Sequence, residues 1–328
     1  MKQLTVIIAE YNEGNQLLDT LNSLYETSDR DLYDVIVVSD GSEITSVDTG
    51  EENHIRLPHR QGVGMAFDVG AAEVVTPYMI IMGSDIRFIK NGYMEKMLEY
   101  LQRPENQKSL ICTANVGINA DRMDFEGGYR RYGAFILPFM KVQDLPPKGA
   151  VRARLRGDKA EANYRNILES KWMDGREGEG IYELPCVWGA FYGVPTHWYR
   201  YIRGFRGHRY WGSLEPFISL KSWFAGGDCK CASDIEVAHI FKGNPSHVTG
   251  PHDLLYNKMA ISKIIFNDDV ADKFINFLQE NPFVQIAKTM ISDNQEAIYA
   301  ERDAFRAVQE RDIYWYKQKY DFKDYGVL

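Results

Sequence analysis

Three short apolar runs, each followed by polar residues, constrain the fold of this chain more than any other feature of its sequence. LTVIIAE (residues 4–10) and YDVIVVSDGS (33–42) have the length and composition of buried strands, and the stretch between them predicts an amphipathic helix that Asn12 could cap. Strand, helix and strand in this order predict a right-handed crossover and a parallel sheet, whose ligands bind beyond the carboxyl ends of the strands. The polar residues at those ends are predicted to line a ligand site: Glu10, Tyr11, Asn12, Asp40 and Ser42.

A third apolar run, PYMIIMGSDIRF (77–88), is interrupted by Gly83, Ser84 and Asp85. A carboxylate that ends a central strand can bind a metal ion, although an aspartate in a turn often only caps the next segment. Gly62 precedes a predicted helix as the first glycine of a GxG. This glycine pair lacks the rest of the dinucleotide-binding pattern and does not follow the first strand, so it does not indicate a nicotinamide cofactor.

Composition restricts the class of protein. The chain has 328 residues, of which 45% are hydrophobic, and this predicts one large globular domain or one domain with an appendage. A net charge of −8 argues against a protein that binds nucleic acid over its whole surface. The four cysteines lack the paired spacing of a zinc site and are predicted to be reduced thiols. Since the sequence has neither a long apolar run nor a leader-like beginning, we expect a soluble, cytoplasmic protein without a transmembrane segment.

Residues 208–242 contain the densest group of candidate catalytic side chains. Pro216 suits the start of a short helix, and the predicted strand that follows carries His239. Because the residue before a proline is disfavoured in helical conformation, Glu215 is expected just outside the helix, with its carboxylate facing a cavity. The alternative is structural: Glu215 as a helix cap, Trp211 in the core and His239 as a half-buried, hydrogen-bonded imidazole.

These segments resemble two groups of enzymes. TVIIAEYNEG, VIVVSDGS and MIIMGSDIRF, in this order and spacing, are similar to the nucleotide-binding segments of family 2 glycosyltransferases of the GT-A fold. WGSLEPFISLKSW and the following GGDCKCASDIEVAHIF resemble the second half of the polypeptide N-acetylgalactosaminyltransferases. Together the similar stretches cover roughly residues 3–90 and 185–278.

The resemblance implies an α/β, Rossmann-like GT-A fold with a mostly parallel central sheet. The implied organisation is a glycosyltransferase domain at 1–253, with a nucleotide-binding half at 1–90 and an acceptor and catalytic half at 185–253, and a helical C-terminal extension at 254–328.

The resemblance also implies a set of site residues. Asp85 is the last position of the family's metal-binding motif, and together with His239 it would hold Mn²⁺ or Mg²⁺ on the donor diphosphate. The first aspartate of that motif is replaced by Gly83 in this chain. The residues implied for the nucleotide and the donor sugar are Ala9, Glu10, Tyr11, Asn12, Glu13, Asp40, Gly62, Ser84, Trp188, Gly189 and Ala190. Those implied for the acceptor are Trp211 and Gly212.

The activity implied is transfer of a sugar from a nucleoside-diphosphate sugar, with UDP as the expected nucleotide, to an acceptor hydroxyl. Glu215 falls where inverting family 2 enzymes have a catalytic aspartate, and Leu214 falls where the retaining N-acetylgalactosaminyl enzymes have a glutamate. Glu215 is therefore expected to be the general base of an inverting transfer. A retaining transferase and an inactive nucleotide-sugar-binding module remain alternatives, whereas an oxidoreductase or a sugar nucleotidyltransferase is disfavoured because no glycine-rich turn follows the first strand. The acceptor could be a glycan, a lipid-linked sugar or a modified DNA base.

Two regions lie outside these motifs. Residues 141–171 carry eight Lys and Arg against four acidic residues, which predicts either a solvated surface helix or a surface for an anionic or glycan acceptor. A long helix predicted over 294–320 ends in aromatic residues, a composition typical of a packing contact or an oligomer contact.

Overall fold

The fold is that of a computed structural model, which describes residues 2–43, 53–118, 130–137, 167–173, 180–189, 191–240, 249–279 and 281–321. The strands are β1 (Leu4–Glu10), β2 (Tyr33–Ser39), β3 (His54–Arg56), β4 (Tyr78–Gly83), β5 (Ile86–Arg87), β6 (Ser109–Ile118), β7 (Arg130–Arg131), β8 (Ala134–Leu137), β9 (Glu169–Trp172), β10 (Ile181–Glu183), β11 (Phe191–Pro195) and β12 (Asp228–Ile240). The helices are α1 (Asn15–Thr27), α2 (Val63–Glu73), α3 (Tyr93–Gln102), α4 (Thr196–Tyr201), α5 (Leu214–Phe224), α6 (Pro251–Ile265), α7 (Asp268–Phe277), α8 (Val284–Asp293), α9 (Gln295–Arg306) and α10 (Ile313–Tyr320).

One main sheet runs through the described part of the chain in the order β10-β12-β6-β11-β4-β1-β2-β3. Strands β4, β1, β2 and β3 are parallel, and β12 is parallel to β6. However, β11 is antiparallel to both of its neighbours, β4 and β6. The predicted α/β fold is confirmed, and parallel pairs lie on both sides of the antiparallel strand β11.

The register of the parallel strands brings their carboxyl ends level. Ala9 near the end of β1 pairs with Val38 on β2 and with Gly83 at the end of β4. The residues that follow each strand therefore emerge along one edge of the sheet, as the sequence predicts.

The two faces of the sheet belong to two separate parts of the core. On β1, Val6 and Ile8 are completely buried against α1 and α3, whereas Ile7 is buried on the opposite face with α2, α5 and the C-terminal helices. This alternation is the two-residue period of a strand, and it explains why the run is apolar without interruption: both faces are covered.

Two local predictions are wrong. Asn12 does not cap α1, which begins after Gly14; the Asn12 Oδ1 instead accepts a hydrogen bond from the Glu43 N–H at 2.8 Å. Glu215 lies inside the first turn of α5 rather than outside it, because Ser213 takes a left-handed conformation (φ 62°) and starts the helix earlier. Pro216 fits there because an N–H in the first turn of a helix has no partner within the helix.

The predicted single helix over 294–320 is also wrong. Helix α9 ends at Arg306 and α10 begins at Ile313. Between them, the N–H groups of Glu310 and Arg311 both donate to the Phe224 carbonyl, at 2.7 and 2.9 Å, and this contact with the end of α5 turns the chain. An oligomer contact through this region stays a prediction, and so does the domain boundary after residue 253, which lies within α6.

The thiol prediction is confirmed, since all four cysteines are buried and free. In the described ranges, no helix has both the length and the apolar character needed to cross a lipid bilayer.

A buried ion pair joins α5 to α9. The Lys221 ammonium group, with a fully buried side chain, lies 3.0 Å from the Glu301 carboxylate, which also contacts Arg203 at 2.8 Å. The ammonium group donates a further hydrogen bond to the Gly204 carbonyl at 3.0 Å. Burial lowers the pKa of Lys221, while the charge of Glu301 opposes that shift.

We expect Glu301→Gln to lower the free energy of unfolding by about 3–5 kcal/mol, because it leaves the buried Lys221 without its counter-charge. Urea denaturation followed by circular dichroism measures this difference. Glu296→Gln, an exposed change on the same helix, is the matched control and should alter the stability by less than about 0.5 kcal/mol. Equal effects of the two substitutions would contradict the assignment.

Candidate functional site

A cavity of about 200 Å³ opens at the carboxyl edge of β1, β2 and β4. Its wall is completed by β12 and α5, so that residues distant in sequence meet around one space. The residues that line it are Ala9, Glu10, Tyr11, Glu13, Asp40, Arg60, Val63, Phe67, Ile81, Gly83, Ser84, Asp85, Gly189, Tyr192, Tyr210, Trp211, Leu214, Glu215 and His239.

Most of the predicted site residues lie in this cavity, but some do not. Asn12 and Gly62 are just behind its wall, where each makes hydrogen bonds with a neighbouring loop. The Trp188 ring packs against Trp172, with centroids 4.7 Å apart, and is not part of the lining. Gly212 faces away from the cavity, since a Cβ at this position would lie 2.4 Å from the Leu254 side chain. Ala190 and most of the basic segment, through residue 166, lie outside the described residues.

The Glu10 carboxylate is held at the end of β1. Its Oε1 accepts a hydrogen bond from the Ser42 hydroxyl at 2.7 Å, and its Oε2 accepts one from the Glu13 N–H at 3.4 Å. The residue is 8% exposed, so it is part of the cavity floor rather than a mobile surface side chain.

Asp40 fastens a loop to the end of β2. Its two carboxylate oxygens accept hydrogen bonds from the Gln61 and Gly62 N–H groups, at 2.6 and 2.7 Å. Burial raises the pKa of Asp40, while these two hydrogen bonds and the charge of Arg60 lower it. The carboxylate lines the cavity, but its main contacts are with this loop.

The loop at Gly62 is joined in turn to the loop at Tyr210. The Tyr210 N–H donates to the Gln61 carbonyl at 3.2 Å, and the Tyr210 carbonyl accepts from the Val63 N–H at 3.1 Å. Gly62 has φ 108°, and a Cβ there would lie 2.1 Å from the Tyr210 nitrogen, so only glycine fits this close approach. The two loops therefore form one continuous wall.

Asp85 and His239 lie side by side on the cavity wall, as the family resemblance implies. The distance from His239 Nε2 to Asp85 Oδ1 is 3.4 Å, and each side chain is about one-fifth exposed. The pairing of β5 with β12 sets this distance, because His239 is opposite Ile86 and the Ile240 N–H donates to the Asp85 carbonyl at 3.0 Å.

The turn that carries Asp85 is fixed to α1 by Arg87 and Thr20. The Arg87 guanidinium is buried and donates to the Thr20 hydroxyl at 2.7 Å, and that hydroxyl lies 2.6 Å from the Ser84 carbonyl. Neither residue was among those predicted from the sequence, although an arginine directly after an apolar strand is a signal for a buried polar contact.

Glu215 approaches the cavity from α5. Burial raises the pKa of its carboxyl, and repulsion from Glu169 adds to that rise, whereas the N–H groups of Glu215 itself and of Gly189 and the charge of His239 lower it. Gly189 leaves the space that the carboxylate occupies, because a Cβ at that position would lie 2.5 Å from Glu215 Oε1. The carboxylate faces the cavity, as the sequence predicts.

An arginine between two tyrosines also lines the cavity, and its role was not predicted. The Arg60 guanidinium carbon lies 4.9 Å from the ring centroid of Tyr11 and 5.0 Å from that of Tyr210. Cation–π contacts of this kind hold a cation in place. The sequence shows only that this arginine comes just before the Gly62 loop. Its position at the cavity depends on the tertiary fold.

The charges around the cavity are unequal. Five carboxylates line it, and they are opposed by the guanidinium of Arg60 and the imidazole of His239. The carboxylates are Glu10, Glu13, Asp40, Asp85 and Glu215. Such a site attracts cations and binds an anion only together with a cationic partner.

Comparison with known sequences identifies related proteins. The family model for glycosyl transferase family 2 matches residues 5–153. Polypeptide N-acetylgalactosaminyltransferase 8 of Drosophila melanogaster is 25% identical over 257 residues, which are 74% of this chain and 38% of that protein. The chain therefore spans well under half the length of this relative.

Comparison with solved structures identifies the same fold. The crystal structure of GalNAc-T7 with UDP, GalNAc and Mn²⁺ superimposes with a TM-score of 0.62 at 13% identity, covering 97% of this chain and 56% of that one. The crystal structure of Staphylococcus aureus TarS 1–349 in complex with UDP-GlcNAc gives a TM-score of 0.52 at 13% identity, covering 97% and 92%. The resemblance stated from the sequence and the GT-A fold are confirmed.

We expect Asp40→Ala to lower the free energy of unfolding by roughly 1–3 kcal/mol, because it leaves the Gln61 and Gly62 N–H groups without an acceptor. It should also weaken UDP binding, measured by calorimetry. Asp34→Ala is the control on the same strand: its partly exposed pair with Lys2 should contribute no more than about 1 kcal/mol. UDP affinity unchanged by Asp40→Ala would remove Asp40 from nucleotide binding.

Proposed function

We propose that this chain, which matches glycosyl transferase family 2 over residues 5–153 and has the GT-A fold, transfers a sugar from a nucleoside-diphosphate sugar to an acceptor hydroxyl. One observation carries the proposal: the pair Asp85–His239 and the carboxylate of Glu215 line the same cavity at the carboxyl edge of the sheet. A metal-binding pair and a candidate base around one space are what a single-displacement sugar transfer requires.

The proposed donor is a UDP-sugar. Two solved relatives with the same fold were crystallised with UDP or UDP-GlcNAc. In this chain Glu10, Tyr11 and Asp40 would contact the nucleoside, since they lie at the ends of β1 and β2. Arg60 would balance part of the diphosphate charge, and its two tyrosine contacts hold the guanidinium at the cavity wall.

Asp85 and His239 fit a divalent cation. Two neighbouring ligands of an octahedral ion with bonds of ~2.1–2.2 Å lie ~3 Å apart, close to the 3.4 Å between these two side chains. An oxygen and an imidazole nitrogen favour Mn²⁺ over Mg²⁺. The described residues contain no cluster of three or more His, Cys, Asp or Glu suited to a metal, so diphosphate oxygens and water would supply the other ligands. When bound, the ion would neutralise charge on the diphosphate leaving group.

Glu215 is the proposed general base. Its pKa is raised by burial, which brings it nearer to neutral pH and so strengthens it as a proton acceptor at working pH. The carboxylate would take the proton of the acceptor hydroxyl as that oxygen attacks the anomeric carbon, and the diphosphate would leave from the opposite face. The product would carry the inverted anomeric configuration.

We expect Asp85→Ala and His239→Ala each to weaken Mn²⁺ binding in the presence of UDP by about tenfold or more, because each removes one of two protein ligands. Electron paramagnetic resonance of free Mn²⁺ measures binding independently of turnover. His197→Ala, an exposed histidine on α4, is the control and should bind Mn²⁺ as the unaltered chain does. Full activity after EDTA treatment would contradict the metal assignment.

We expect Glu215→Gln to reduce turnover by roughly 10²- to 10⁴-fold, because the amide cannot accept the acceptor proton. UDP affinity should be nearly unchanged. Only the ionised carboxylate of Glu215 is a base, so the rate should rise with pH through its raised pKa, and the Gln variant should lack this dependence.

Glu183→Gln, a change of an exposed residue on β10, is the control for that substitution and should keep normal turnover. Proton NMR of the first product formed would show the inverted anomer. A retained configuration would overturn the inverting mechanism, and donor binding without transfer or hydrolysis would instead identify a nucleotide-sugar-binding module.

A further inference from the structure

Five side chains form a row in which aromatic rings alternate with guanidinium groups. Beyond Tyr210, the row continues through Arg209, whose guanidinium carbon lies 5.5 Å from the Tyr210 centroid and 5.3 Å from the Tyr256 centroid. The whole row, which we name the arginine–tyrosine ladder, is Tyr11, Arg60, Tyr210, Arg209 and Tyr256. It begins at the proposed donor cavity and leads away from it.

The ladder leads into a second cavity of about 500 Å³. This space lies between the Tyr210 loop and helices α6 and α8, and it is lined by Arg60, Arg209, Tyr210, His252, Asp253, Ile286 and Met290. Arg60 and Tyr210 line both cavities. Three consecutive residues line the two cavities. Arg209 lines the second cavity, Trp211 lines the donor cavity, and Tyr210 lines both.

The second cavity has the opposite charge balance to the first. Arg60, Arg209 and His252 supply basic groups, and Asp253 is the only acid among the described residues that line it. The Asp253 carboxylate accepts from the Gly250 N–H at 3.3 Å and lies 3.5 Å from His252. Among the described residues, Arg209 has no carboxylate within ion-pair distance, although the whole chain has a net charge of −8.

Arg209 is held in place by its backbone. Its N–H donates to the Asn257 side-chain oxygen at 2.9 Å, and its carbonyl accepts from the Asn257 amide nitrogen at 2.7 Å. Asn257 is fully buried in α6. The guanidinium therefore reaches the cavity from a fixed base, which limits the entropy lost when it binds a ligand.

We infer that the second cavity is an acceptor subsite for a phosphorylated carbohydrate, an inference that rests on the proposed transferase function. Two guanidinium groups match a phosphate monoester of charge near −2 better than a single carboxylate. Tyr210, Ile286 and Met290 line the same cavity and supply apolar surface against which a sugar ring could pack. The phosphate would lie in this cavity, while the reacting hydroxyl would reach past Tyr210 toward Glu215.

The test titrates the full chain by calorimetry with three probes of one scaffold: methyl glucoside 6-phosphate, methyl glucuronide and methyl glucoside. The phosphate should bind about tenfold or more tightly than either of the others, in line with the strength of charge-assisted hydrogen bonds. The same titration with saturating UDP and Mn²⁺ should still show phosphate binding, because Arg209 lines only the second cavity even though Arg60 lines both.

Four variants locate the site. Arg209→Gln should weaken phosphate binding about tenfold, whereas Arg206→Gln, an exposed arginine in the same loop, should not. Ile286 is 50% exposed, so Ile286→Asp and Ile286→Asn should both fold, and only the charged Asp should repel the phosphate. The comparison of the two Ile286 variants remains a valid test even if Arg209→Gln displaces the rings of Tyr210 and Tyr256.

Several outcomes would overturn this subsite. Equal affinity for the phosphate and the neutral glucoside would refute anion recognition, and equal affinity for the glucuronide would refute the choice of phosphate. Competition between UDP and the sugar phosphate would place the phosphate in the donor cavity instead. If UDP fails to bind while the phosphate still binds as predicted, the anion-binding cavity stands and the donor assignment of the proposed function fails.

Discussion

The Asp40 carboxylate is the contact on which the geometry of the site depends. It holds the Gln61–Gly62 backbone at the end of β2, and that backbone pairs with the Tyr210 loop, which leads directly into α5. Two hydrogen-bonded steps thus connect the end of β2 to the loop that enters the helix carrying Glu215. The first joins a buried carboxylate to two backbone N–H groups, and the second joins backbone groups only, so both fix distances that mobile side chains could not.

The charge distribution differs between the two cavities. The first is dominated by carboxylates, so a diphosphate can enter it only with Arg60 and a bound cation. The second has a more basic lining, in which Arg209 has no carboxylate within ion-pair distance among the described residues, and this is the basis of the inferred phosphate subsite. Arg60 and Tyr210 stand between them, and we place the transfer reaction at this junction.

The C-terminal helices are part of the same structure that forms the site. Helix α8 supplies the apolar wall of the second cavity, and α9 is joined to α5 through the buried pair of Lys221 and Glu301. The Tyr316 ring on α10 is buried against Trp223 of α5. Changes in these helices are therefore expected to affect the position of α5 and of the Glu215 carboxylate proposed as the base.

The sequence by itself determined the apolar strands near residues 4–10, 33–42 and 77–88 and the edge of the sheet at which their polar ends meet. Uninterrupted apolar runs of this length, bounded by polar residues, are typical of buried strands, and their polar ends identified Glu10, Asp40 and Asp85 as candidate site residues. The pairing of Asp85 with His239 was implied by the family resemblance, because the two residues are far apart in the chain.

Only the tertiary structure decided how those ends are used. The sequence does not show that both oxygens of Asp40 are bonded to a loop, nor that Ser213 rather than Pro216 sets the start of α5. It also does not show the arginine–tyrosine ladder, whose members come from separate segments. Contacts between segments depend on strand register and loop packing, which are long-range properties, whereas local patterns report only the element in which each residue lies.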